Sequence, residues 1–164
     1  MLGVIIALSV AGRFLFSPLP FFKPVTAMTI ICGIYLGKEN GFVCGAMTAL
    51  ISNIYFGQGI WTPFQMFAWG IIGFLAGIIG KYLDNNKLFL SFYGLFSGVL
   101  FSLLMDLWTV LWWEGGFNVS RYLATVISGL PIMGVYMVSN VLFLLLLTKP
   151  IGKKLKRIKI KYGI

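Results

Sequence analysis

Six polar side chains interrupt otherwise apolar stretches of this sequence: Arg13, Asn53, Gln65, Asp106, Arg121 and Asn140. Such groups are costly to keep in apolar surroundings and mark places where a chain binds, pairs or lines a path. Asn53, Gln65 and Arg121 fall near the ends of their stretches, and Asp106 lies deeper, followed by Trp108, Trp112 and Trp113. Amides, a carboxylate and a guanidinium set among indoles can hydrogen-bond and stack on a small molecule. The competing structural role is a salt bridge from Asp106 to Arg13 or Arg121. Catalysis is poorly served. There is no histidine, the acids are Glu39, Asp84, Asp106 and Glu114 alone, and neither a Gly-x-Ser-x-Gly elbow nor a phosphate-binding glycine loop is present. Cys32 and Cys44 lack metal-ligand spacing and read as small buried hydrophobes.

The elements that must position these groups are set by hydropathy. The 164 residues are 59% hydrophobic and 10% charged, against about 25% charged in a soluble domain, so much of the surface faces something apolar. Polar punctuation separates six apolar stretches, at about 1–16, 24–36, 42–56, 63–83, 88–113 and 119–147. Crossing a bilayer core takes ~20 helical residues. The last three stretches suffice; the first three are short and need thinned bilayer or a place inside the bundle. The first lacks a basic leader and a small-x-small cleavage site before Arg13, and so reads as a true helix. The predicted fold is an all-α membrane protein, a six-transmembrane-helix bundle over 1–148 followed by a basic tail, 149–164.

Charge sets the expected orientation. Net charge is +9, and seven of thirteen basic residues, Lys149, Lys153, Lys154, Lys156, Arg157, Lys159 and Lys161, lie in the tail. With Lys38, Lys81 and Lys87 they place ten basic residues on one side, against Arg13, Lys23 and Arg121 on the other. The positive-inside rule then puts both termini in the cytoplasm of a cell membrane. The outer loops, 17–23, 57–62 and 114–118, each mix Gly or Pro with an aromatic and a polar residue. They suit either a lid over a site or an interfacial aromatic belt. Small residues add a packing signal: Gly70, Gly73, Gly77 and Gly80 stripe the fourth stretch, and Ala7 and Ala11 repeat at i, i+4 on the first.

Six short helices, the Ala7/Ala11 pair, Pro24-Val25-Thr26-Ala27 through Gly33, Gly41-Phe42 with Gly45, Ser52-Asn53, and Gly57-Gln58-Gly59-Ile60-Trp61-Thr62-Pro63-Phe64-Gln65-Met66 with Trp69-Gly70 resemble the substrate-binding S component of energy-coupling factor (ECF) vitamin transporters. The resemblance covers residues 7–82 and the remainder by topology. It implies that Ala7 and Ala11 contact the transmembrane coupling (T) subunit, and that two partner ATPase subunits drive the import of a small-molecule vitamin. It also implies pocket roles for Asn53, Gln58, Trp61 and Gln65 and their neighbours. With Tyr55, Trp69, Asp106, Trp112 and Arg121 these make up the predicted substrate-binding set. No catalytic residue, metal or cofactor is expected, and no nucleic-acid partner. The outer loops look most like members linked with cobalamin or a related corrinoid. The residue inventory fits a flavin or another planar vitamin equally well. A non-transporting scaffold of the same fold, and a small channel, are the readings from other classes.

Overall fold

The computed structural model describes residues 1–162, the Glu114 side chain excepted; residues 163 and 164 of the predicted tail lie outside the described residues. Seven helices follow one another: α1 (Leu2–Leu15), α2 (Val25–Leu36), α3 (Lys38–Phe56), α4 (Trp61–Ile78), α5 (Gly80–Asn85), α6 (Lys87–Glu114) and α7 (Val119–Tyr162). Three of them, α4, α6 and α7, are long and apolar enough to cross a membrane.

α2 is the axis of the bundle. Every residue from Val25 to Gly33 is buried, and the helix packs on α1, α3, α4, α5 and α7. Twelve residues rise only ~18 Å, and enclosure by its neighbours is what lets so short an apolar helix sit there without facing solvent. α3 runs along α4, and α6 runs along α7. The α2–α3–α4 contact is made by backbones: a Cβ on Gly33, Gly41 or Gly73 would collide with main-chain atoms of the facing helix, and Gly70 lies against the Phe42 ring. The glycine stripe read from the sequence is thus an internal packing face, close-packed through absent side chains.

Two predicted boundaries move. The stretch at 63–83 is two helices, because the chain turns at Ile79 (φ −101°, ψ 17°) before Gly80 packs on the Ile34 backbone. At the other extreme, α7 does not stop at Leu147 but continues through the basic residues to Tyr162. Lys and Arg are good helix formers, and the extension is tied down. Gly152 lies against the Tyr35 ring, Leu155 is buried, and Lys156 Nζ pairs with Asp84 at 2.5 Å. The Tyr35 hydroxyl donates to the same carboxylate. Pro131 and Pro150 lie inside α7; each removes one backbone donor from the ladder.

Candidate functional site

Alternation of direction brings the end of α1, the start of α2, the end of α3 and the start of α4 together at the end of the bundle opposite Lys156. Arg13 sits in the last turn of α1, where a cation complements the carbonyl-rich helix end, yet it is 8% exposed. Its guanidinium donates to the Ser52 hydroxyl and, at 2.8 Å, to Asn53 Oδ1. Asn53, 1% exposed, passes the network on: its Nδ2 donates to Thr62 Oγ1 at 3.0 Å and to Gln65 Oε1 at 2.8 Å. Ser52 in turn donates to the Thr48 carbonyl one turn back. Three helices are thereby joined around one cation.

Arg13 forms no ion pair with any acid among the described residues; its hydrogen-bond partners are neutral. Aromatic faces supply part of the compensation, Phe56 with its centroid 4.9 Å from Arg13 Cζ and Trp69 at 5.2 Å. Lys23 Nζ lies 5.0 Å from the same Phe56 centroid, so two positive charges share this end.

Beside the network lies a cavity of about 230 Å³, lined by Arg13, Phe21, Lys23, Val25, Thr26, Gln65, Trp69 and Tyr136. Its roof comes from the α1–α2 connection. Phe21 holds a left-handed backbone (φ +62°), a conformation that L-residues with large side chains rarely adopt, and its ring meets Tyr136 edge-on at 5.8 Å. The roof is fastened to α7, since the Ser139 hydroxyl accepts from the Lys23 N–H (3.1 Å) and donates to the Lys23 carbonyl (3.2 Å). Two donors of the lining residues, Arg13 Nε and Trp69 Nε1, are buried without an acceptor.

A second cavity, of about 180 Å³, shares Gln65 and Tyr136 as walls and is completed by α6 and α7, from Phe101, Ser102, Met105, Asp106, Gly129 and Ile132. Asp106 Oδ2 is buried without a donor. One to two turns nearer the α6–α7 connection, Thr109, Val110, Trp113, Arg121 and Thr125 line a wider recess of about 370 Å³.

The structure therefore gathers Asn53, Gln65, Trp69 and Asp106 of the predicted set around two adjoining cavities, with Arg121 in the neighbouring recess. Four residues of the set lie elsewhere. Tyr55 is two positions past Asn53 and so faces the other side of α3; it is 77% exposed against Phe14 and Phe56. Trp112, 54% exposed, borders neither cavity nor the recess, whereas Trp113, seven positions after Asp106 and itself 77% exposed, borders the recess. Gln58 folds back to donate to the Leu50 carbonyl at 2.8 Å, and the exposed Trp61 lays its ring over Gly59. The Asp106–Arg13 salt bridge is not formed. Asn140 is structural, its amide donating to Ser97 Oγ on α6 at 3.1 Å.

Sequence reasoning counted Arg13 among the polar groups that bind or pair, and gave no role to Phe21 or Tyr136. An arginine inside an apolar helix was a usable signal for Arg13. Nothing local marks Tyr136, which enters the site only because α7 folds back across α2.

Ala7 and Ala11 stand apart from all this. With Gly3, Val4 and Leu8 they form an uncovered strip on α1, while Ile5 and Ser9 of the same helix are buried.

Comparison with known proteins gave no match among curated proteins and none among solved structures. Comparison with protein families matches residues 1–157 to the ECF-type riboflavin transporter, S component. With nearly the whole chain matched and three helices able to span a bilayer, the protein is a membrane protein that belongs to the ECF-type riboflavin transporter S component family.

Proposed function

We propose that this chain is the substrate-capture subunit of an ECF-type importer of riboflavin, in the membrane of a bacterial cell. The observation that carries the reading is Arg13: a buried guanidinium without a counter-ion among the described residues, whose Nε–H has no acceptor there, on the wall of a cavity faced by Trp69, Phe21 and Tyr136. A buried charge left so is expensive unless something else completes its hydrogen bonds. A flat, uncharged heteroaromatic with carbonyl and ring-nitrogen acceptors does so, and its faces stack on the rings. The family's name points to the same vitamin. The two adjoining cavities, about 230 and 180 Å³, reach the lower part of the ~300–1,000 Å³ of small-molecule sites only when taken together; that space suits a flavin and is small for a corrinoid, so riboflavin replaces cobalamin as the ligand.

In this reading all six apolar stretches belong to the membrane bundle, α2 being carried within it. Both termini and the basic tail, residues 149–164, lie in the cytoplasm by the charge bias. The uncovered Ala7/Ala11 strip receives the transmembrane coupling subunit, since small residues let two helices approach closely. ATP hydrolysis belongs to two partner subunits.

The test is riboflavin titration of the purified protein in nanodiscs, followed by quenching of flavin fluorescence. Saturable binding below micromolar concentration is expected, with Arg13→Met weakening it at least tenfold. Absence of saturable binding to the wild type would sink the reading and favour a scaffold of the same fold.

A further inference from the structure

We infer that the two adjoining cavities sort the ligand by polarity, with the isoalloxazine ring under the α1–α2 roof and the ribityl chain between α6 and α7. In this arrangement Asp106 recognises the polyol and rejects its 5′-phosphate. The inference rests on the riboflavin reading above.

The first cavity offers donors and aromatic faces. Arg13 Nε and Trp69 Nε1 are unpaired N–H groups, Lys23 adds a second positive charge, and the rings of Phe21, Trp69 and Tyr136 wall the space. An isoalloxazine has its electron-rich carbonyl oxygens and ring nitrogens along one edge, and these accept what that wall donates. The second cavity has the opposite character. Its unpaired group is an acceptor, Asp106 Oδ2, accompanied by the Ser102 hydroxyl. A carboxyl oxygen left without a donor accepts, so it selects a ligand portion rich in O–H donors. A ribityl chain is such a portion; a dioxopyrimidine edge, with two carbonyls flanking one N–H, is not.

Space agrees with this division. Gly129 faces Asp106, and a Cβ there would come 3.7 Å from Oδ2, so the glycine leaves the carboxylate open to a chain passing between α6 and α7. Tyr136 stands between the two cavities, edge-on to Phe101 at 5.2 Å on one side and to Phe21 on the other. The slender junction of ring and chain is the part of a flavin that fits past it. A terminal phosphate on the chain would bring a dianion towards a buried carboxyl oxygen that has no donor beside it, and a buried anion left without donors opposes binding. The site thereby discriminates riboflavin from flavin mononucleotide.

The experiment measures affinities of the full-length protein in nanodiscs for riboflavin, for lumiflavin (the ring with a methyl in place of the ribityl chain) and for flavin mononucleotide. Wild type is compared with Asp106→Asn and Gly129→Ala. Asp106→Asn is expected to weaken riboflavin roughly tenfold, the loss of a hydrogen bond to a charged group. It should leave lumiflavin unchanged and narrow the gap between riboflavin and flavin mononucleotide. Gly129→Ala, whose Cβ makes ordinary contact and so leaves folding intact, should weaken riboflavin and spare lumiflavin. Equal losses for riboflavin and lumiflavin in Asp106→Asn, or a riboflavin affinity that does not change, would overturn the orientation while leaving the flavin site standing. A wild type that binds no flavin overturns the underlying reading itself.

Discussion

Replacing Asn53 by Ala removes the centre of the polar network and tests whether it holds the bundle together. The side chain accepts from the Arg13 guanidinium at 2.8 Å and donates to Thr62 at 3.0 Å and Gln65 at 2.8 Å, with 1% of its surface exposed. A hydrogen bond to a buried charge is worth ~1.5–3 kcal/mol and each neutral one ~0.5–1.5 kcal/mol. Water cannot readily replace any of them at this depth, so the expected loss is about 4 kcal/mol. In a chain of this length ~1 kcal/mol moves the midpoint by ~2–4 °C, so Asn53→Ala should lower Tm by roughly 10 °C in thermal unfolding of the detergent-solubilised protein. Asn53→Asp separates folding from binding. Its carboxylate still accepts from Arg13 and supplies the counter-ion that the native site lacks, but it cannot donate to Thr62 or Gln65. Its Tm should fall between those of wild type and Asn53→Ala, while riboflavin affinity falls as far as in Arg13→Met, because Arg13 is then neutralised from within. A Tm for Asn53→Ala within ~2 °C of wild type would refute the network as a structural tie. Full riboflavin affinity in Asn53→Asp would refute the uncompensated charge as the attraction.

Three further outcomes follow from other parts of the bundle. Gly73→Ala drives a Cβ into the Gly41 main chain at a contact between two backbones, where neither side yields; a loss of at least ~1–3 kcal/mol should appear as lowered Tm and reduced yield. Ala7→Trp on the uncovered strip of α1 should leave Tm and riboflavin affinity unchanged while abolishing co-purification with the coupling subunit; co-purification at wild-type yield would remove that strip as the interface. At the opposite end, burial alone would raise the Asp84 pKa, but the hydrogen bonds from Lys156 and Tyr35, with the Lys156 charge, outweigh it and hold the carboxyl below its ordinary value. A depressed carboxylate contributes stability that is whole above the ordinary range near ~4 and is lost as pH falls through the folded value. Tm measured from pH 7 downward should therefore drop on the acid side in wild type, and by less in Asp84→Asn.

How much of this was legible beforehand depended on the kind of information involved. Hydropathy reports local burial, so the helical class, the three full-length apolar helices and the glycine face of α4 could be read directly. Helix ends were less legible. Ile79 breaks a continuous apolar run because Gly80 must meet the Ile34 backbone, and the tail of α7 stays helical because Tyr35 and Asp84 hold it; both causes are contacts distant in sequence. Which of the candidate residues lie together was not legible for the same reason. Asn53, Gln65, Trp69 and Asp106 are polar or aromatic residues whose helical phase points inward, whereas Tyr55 and Trp112 have equal chemistry and the wrong phase.

By itself, the sequence determined that the chain is apolar, helical and basic at one end, since these depend on composition and short-range period. Only the tertiary structure decided that Arg13 is buried among neutral partners, that Phe21 and Lys23 roof it, and that Tyr136 and Asp106 divide the space beside it. Those facts depend on which helix lies against which, and no local pattern encodes the meeting of α1, α3, α4 and α7 around a single cation.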